Sequence, residues 1–211
     1  MRKTGQFAQE RGRSPTIEEI QLRKGGESKI FALTAAAEKV HPYLVGHIAG
    51  VTWIAVAIAR EMGLDPQALE GIRLAATGHD VGMVDVPAHI STKNAPLTAE
   101  ERSAMERDPE IGYEKLGLIK SPRPLATITL EHHERHNGSG YPHGLAEHLI
   151  GLEARIIGVS DTLEAMSSNR AHKSIPGIAK AVEDLKANSG VLYDPEVASA
   201  AITVFTNQRP E

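Results

Sequence analysis

The chain has 211 residues, 41% hydrophobic and 24% charged, enough to bury one core of ordinary size and too rich in apolar pattern for a disordered tail. Its 23 basic and 27 acidic residues give a formal charge of -4, so no global field draws it toward nucleic acid polymers or anionic membranes. It contains no cysteine, which excludes disulfide frameworks, thiolate zinc sites and cysteine nucleophiles; any metal must be held by nitrogen and oxygen.

Residues 1–28 are polar and interrupted by Gly12, Pro15, Gly25 and Gly26, so they read as a leader or linker in which only TIEEIQLRK makes a turn or two of helix. The opening has no apolar h-region, and nowhere do 18 apolar residues run together. Neither a signal peptide nor a membrane span is expected, and a cytoplasmic location is. From Lys29 the apolar residues recur at three and four, giving one helix over KIFALTAAAEKV and a second over YLVGHIAGVTWIAVAIAREMGL, closed by Gly63 and Pro66. The second is apolar around most of its circumference and reads as the central, multiply buried helix.

PQALEGIRLAATGHD opens with proline in its first turn and delivers His79 and Asp80 at its end. The following stretch is broken by Gly82 and two prolines until LTAEE, a capping box, starts another helix. Further helices are predicted over PEIGYEKLGLI, PLATITLEHHERH, EARIIGVSDTLEAMSSN, IPGIAKAVEDLKAN and DPEVASAAITVF. HNGSGYPHGLAEHL is too rich in glycine to be regular, and no segment alternates as a strand would. The expected architecture is one all-α domain over residues 29–211, a single helical bundle without internal repeats.

Ten histidines are the compositional oddity, and five fall between His132 and His148. His79 and Asp80 set the two commonest non-sulfur ligand types side by side at the end of an apolar helix. His132 and His133 follow Ile128 and Leu130 on an inward-packing helix, and Asp161 lies among Ile156, Ile157, Val159 and Leu163. An aspartate there is costly to bury unless something positive meets it. His47, within the central helix, is either a core histidine bonded to a carbonyl or a further ligand. Together His47, His79, Asp80, His132, His133 and Asp161 suffice for two divalent metals with positions left for water, an arrangement suited to in-line attack on phosphate esters. Iron, manganese and zinc are all chemically admissible. His41, His89, His136, His143 and His148 fall outside this pattern and are read as surface or loop residues.

HDVG, then HHERHNGSGYP, then DTLEAMSSNRAHK resembles the HD-GYP family of bacterial phosphodiesterases, HD-superfamily enzymes that hydrolyse cyclic di-GMP. The resemblance runs from Phe31 to Phe205. It implies an HD-type helical bundle, a binuclear site of iron or manganese with zinc admissible, and metal ligands at His47, His79, Asp80, Asp108, His132, His133 and Asp161. His79 and Asp80 would be the catalytic pair, with Asp80 bridging the two ions. Arg170 and Lys173 match positions that contact phosphate, Tyr141 would shape the pocket mouth, and Glu164 stands at a substrate-facing position where an aspartate is common.

The departures are specific. Asp108 replaces a ligating histidine, Met83 replaces a lysine that would touch substrate phosphate, Asn137 replaces an aspartate of the loop, and Ala171 and His172 replace proline and tyrosine. Tyr43 stands where a minority of the family carries a glutamate associated with a third metal, so two metals are expected. The resemblance implies a cyclic dinucleotide substrate, no nucleic acid polymer, and a diguanylate cyclase-type domain or a second copy as protein partner. Two alternatives stay open: a phosphohydrolase of another nucleotide, and a degenerate module that binds ligand or protein with little turnover.

Overall fold

The computed structural model describes residues 17–121, 123–167 and 177–207. In chain order the helices are α1 (Ile17–Val40), α2 (Leu44–Glu61), α3 (Pro66–Gly78), α4 (Ala88–Ser91), α5 (Ala99–Met105), α6 (Asp108–Gly117), α7 (Leu125–Glu131), α8 (Leu152–Ser167), α9 (Gly177–Asn188) and α10 (Pro195–Asn207). Short 3-10 turns occupy Val81–Asp85 and Glu147–Leu149. Among the described residues there is no strand, only isolated bridges such as Asn137 to Ala146. The all-α expectation is met.

The bundle is organised around α2. Its Val51, Ile54, Ala55, Ile58 and Ala59 are buried, and it packs against α3, α8 and α10. The core continues through Ile72, Ala75 and Ala76 of α3, Ile156, Ile157 and Leu163 of α8, and Val197 and Ala201 of α10. By length (18 residues) and mean hydropathy (1.3), α2 is also the one described helix that could cross a bilayer, although 44% of it is buried inside the bundle.

Local signals start the helices where the sequence places them. The Asp65 side chain accepts from the Ala68 amide at 2.8 Å, capping α3 ahead of Pro66. Thr98 and Glu101 form the reciprocal capping box of α5. The predicted helix over EARIIGVSDTLEAMSSN is α8, which runs from Leu152 to Ser167.

Three expectations need correction. The leader holds more helix than the turn or two expected over TIEEIQLRK, because α1 runs unbroken from Ile17 through Gly25 and Gly26. Two mid-helix glycines disfavour helix by about 2 kcal/mol. The ion pair of Glu27 with Arg73 of α3 and the burial of Ile30, Thr34 and Ala37 further along α1 oppose that tendency. Next, α7 stops at Glu131 rather than continuing through His136. The His132 ring takes the Thr129 carbonyl, an acceptor a continuing helix would need for its own ladder.

His41 is the third correction. It is buried, not superficial. From the junction of α1 and α2, its Nε2 donates to the carbonyls of Met83 (2.8 Å) and Val86 (3.1 Å), while Nδ1 meets the Ser91 hydroxyl at 2.8 Å. This grips the turn that follows Asp80. Met83 sits in the same place, inside a small apolar cluster with Ala37, Leu44, Ile48 and Val86.

Gly82 lets that turn approach α6. A Cβ at position 82 would lie 2.1 Å from the Asp108 carbonyl oxygen and 2.8 Å from the Gly112 nitrogen. Gly82→Ala should therefore push α6 away and destabilise the fold by roughly 1–3 kcal/mol, read as a lowered midpoint in denaturant. An unchanged midpoint would contradict this packing.

Candidate metal centre

Two helix ends present imidazoles in the same way. His79 follows α3 and donates Nδ1–H to the Ala76 carbonyl at 2.7 Å; His132 follows α7 and donates Nδ1–H to the Thr129 carbonyl at 2.5 Å. Each bond reaches three residues back and fixes the tautomer, leaving the lone pair on Nε2. Both rings are fully buried, and neither Nε2 has a hydrogen-bond partner. A nitrogen held dry, oriented and unpartnered is costly unless an electrophile is meant to meet it.

The carboxylate between them is Asp80. Its Oδ2 lies 3.3 Å from His79 Nε2 and 3.3 Å from His47 Nε2, while Oδ1 faces His132 Nε2 at 3.8 Å. His47, from α2, also stands 3.3 Å from Asp161 Oδ1 of α8. Asp80 thereby belongs to two donor groups capable of holding a cation: one with His47 and His79, the other with Asp108, His132 and His133. The seven residues expected as ligands are brought together around it.

Asp108 is buried at the start of α6, and neither of its carboxylate oxygens has a hydrogen-bond partner. His133 stacks on His132 with ring centroids 3.9 Å apart, and Tyr141 stacks on His133 at 4.7 Å. Burial, with Asp108, Asp161 and Asp80 close by, holds the Tyr141 phenol above its ordinary range.

The electrostatics describe a pocket short of positive charge. Burial, then Asp80 and Asp161, hold the Asp108 carboxyl well above the usual carboxylate range. Burial opposes ionisation of Asp80 as well, but the imidazoles of His79 and His47 outweigh it and keep that group low. Burial also lowers His47, yet the carboxylates of Asp161, Asp80 and Glu164 prevail and raise it to about 11. His132 is pushed down by burial and His133 to about 4. Burial lowers His79 as well, but Asp80 outweighs it and holds that imidazole above its ordinary range. Two imidazoles pushed toward neutrality, two drawn toward the protonated form and an aspartate pushed toward its neutral form are what a dry carboxylate-rich pocket adopts. The unpartnered His79 Nε2, His132 Nε2 and Asp108 oxygens fit a divalent ion held by nitrogen and oxygen.

Glu164 stands elsewhere than expected. It is buried on α8 with its carboxylate bonded to His47 Nδ1, behind the imidazole rather than facing a ligand. A carboxylate there orients the ring and raises its basicity. Arg170 and Lys173 lie outside the described residues.

Glu134 escaped the sequence reading. It is buried, and its two carboxylate oxygens accept the amides of His143 (2.7 Å) and Leu145 (3.0 Å), tying down the GSGYP loop. Gly140 packs against the same backbone: a Cβ there would lie 2.4 Å from Glu134 Cα and 2.5 Å from the His133 carbonyl oxygen. Asn137 keeps a loop role, its Oδ1 accepting from the Ser139 amide and hydroxyl. The available signal was an acidic residue directly after two ligands and nine to eleven residues before the amides it binds.

Residues 29–197 match the HD domain family. The chain belongs to that family and, with its GYP loop, to the HD-GYP branch. It is 38% identical over 156 residues to the cyclic di-GMP phosphodiesterase of Thermotoga maritima, covering 73% of this chain and 42% of that protein. It is 37% identical over 185 residues to the cyclic di-GMP phosphodiesterase response regulator RpfG of Xanthomonas campestris, covering 87% and 44% respectively. The chain thus spans less than half the length of these relatives. Among solved structures, Bd1817, an HD-GYP protein of Bdellovibrio bacteriovorus, shares the fold with a TM-score of 0.66 at 19% identity, over 86% of this chain and 64% of that one.

Cation loading must displace the His47 proton, whereas His132 and His133 are already neutral. Metal affinity should therefore rise by at least about tenfold per pH unit through neutrality for the His47 proton, and more steeply where His79, which Asp80 holds above its ordinary range, or Asp108 also releases one. Calorimetric titration in buffers of different ionisation enthalpy reads the released protons directly; binding without proton release would contradict the assignment. Glu164→Gln, which removes no ligand, should weaken metal binding by about 10- to 100-fold.

Proposed function

We propose that the chain is a metal-dependent phosphodiesterase that hydrolyses cyclic di-GMP to the linear dinucleotide or GMP, through a pair of divalent ions sharing Asp80. The observation that carries this reading is the Asp80 carboxylate, whose two oxygens face different donor groups. Iron or manganese suits the donor set better than zinc, because Asp108 adds oxygen where the resemblance leads one to expect histidine. The names of the relatives support the substrate class.

Ions bound there supply Lewis acidity and a nucleophile available at neutral pH. The chain's own residues do the rest. His79 and His132 hold lone pairs inward through their Nδ1 bonds, and Glu164 fixes His47. Glu134 and Gly140 set the GSGYP loop so that Tyr141 borders the site. Arg170 and Lys173 hold the phosphate not under attack. A cytoplasmic location goes with this reading, with a diguanylate cyclase-type domain as the protein partner to test.

A weak or non-hydrolytic module is the second reading, and Met83 favours it. The position read as a phosphate-binding lysine is here buried in the apolar cluster of Ala37, Leu44, Ile48 and Val86. That costs one charge-assisted contact of about 1.5–3 kcal/mol.

Anaerobic purification with metal analysis and a cyclic di-GMP assay, set against a panel of other nucleotides, tests the reading. Two equivalents of iron or manganese and turnover of cyclic di-GMP are expected. Asp80→Asn should lose metal and reduce turnover by about 10³-fold or more. Asp108→His should keep metal and raise affinity by relieving the repulsion with Asp80. Metal bound without hydrolysis of any cyclic dinucleotide supports the second reading.

A further inference from the structure

The face of α2 opposite His47 is apolar and open. Val45 is 57% exposed and Trp53 53% exposed. With Ala49, Ala57 and Phe31 of α1 they line a groove of about 660 Å³ between the two helices. An exposed apolar surface of this kind is uncommon unless something covers it.

The ends of the groove carry opposite charge. Glu38 lines it near the end of α1, on the side of Val45, and Arg60 lines it at the far end of α2. The 15 helical steps from Val45 to Arg60 span about 22 Å, so the two charges cannot reach one another within one chain. Neither has an ion-pair partner among the described residues. Trp53, the one tryptophan of the sequence, falls at the midpoint, flanked by the small residues Ala49 and Ala57.

An acid at one end, a base at the other, and a large aromatic residue at the centre between small ones are self-complementary under a two-fold rotation. We propose that this groove is a homodimer interface, in which α2 of a second copy lies antiparallel along α2 of the first and each Glu38 meets the Arg60 of its partner. The axis passes near Trp53, with the ring of each copy packed over the alanines of the other. Because His47 faces the opposite side of α2, the association leaves the metal centre open.

Sedimentation equilibrium of the full chain across the micromolar range tests this, together with the emission of Trp53 over the same dilution series. A dimer whose formation shifts the emission to the blue is expected. Glu38→Arg and Arg60→Glu should each weaken association by about tenfold or more, since like charges then face across the axis, and the double reversal should restore it to within about threefold of the original. Far-UV circular dichroism confirms that each variant is folded; Trp53→Glu, also folded, should be monomeric. Four results would overturn the proposal: a monomer throughout with constant emission; a dimer indifferent to all of these substitutions; a double variant as weak as the single ones; or emission that shifts only when a monomer binds anionic lipid vesicles.

Discussion

A single carboxylate, that of Asp80, sits where five elements meet: the end of α3, α2, α6, the segment after α7, and α8. Buried negative charge in such a place is tolerated only when cationic or donor groups surround it. His47, His79 and His132 do this within 3.8 Å. Asp108, Asp161 and Glu164 are gathered there too, and of the four imidazoles in the cluster burial pushes His132 and His133 toward the neutral form, so positive charge falls short of negative. The core of the bundle thus supplies a cage whose electrostatics are incomplete by the charge of a metal, and the remaining polar contacts around it serve to keep that cage open and oriented.

Orientation comes from bonds to backbone and from close approach. The Nδ1 bonds of His79 and His132 to carbonyls three residues back are made by the chain itself, so both rings are set as soon as their helices end. Gly82 lets α6 bring Asp108 against the turn, and Gly140 lets the GYP loop rest on the backbone of His133 and Glu134. The clustered histidines and the loop that borders them are therefore assembled on one strip of chain, with Tyr141 stacked on His133 as its outer layer.

Much of this was legible in the sequence, for identifiable reasons. Helical periodicity located the elements, because each buries an apolar stripe, and the caps at Asp65 and Thr98 are local chemistry. The candidate donors stood out because Asp161 and His47 are ionisable residues inside apolar runs. What escaped depends on contacts distant in sequence. The bond of Glu164 to His47 joins residues 117 apart, and its position in a motif suggested a ligand-facing role that its burial removes. His41 falls outside the ligand pattern and so reads as superficial, since its carbonyl partners more than 40 residues away are invisible from the local pattern. Met83 stands where the resemblance leads one to expect a lysine, and only the packing of Ala37, Leu44 and Val86 shows where its side chain goes. The extension of α1 through two glycines follows from tertiary support that propensity does not register.

The grip of His41 has a mechanical corollary. This residue closes α1 and holds the carbonyls of Met83 and Val86, so the first helix and the turn after Asp80 move as one piece. Any force that tilts α1 must either break buried bonds to an imidazole or drag the turn along. The first helix is thereby geared to Asp80, and a torque applied at its outer end would arrive at the carboxylate where the imidazoles converge without passing through the hydrophobic core.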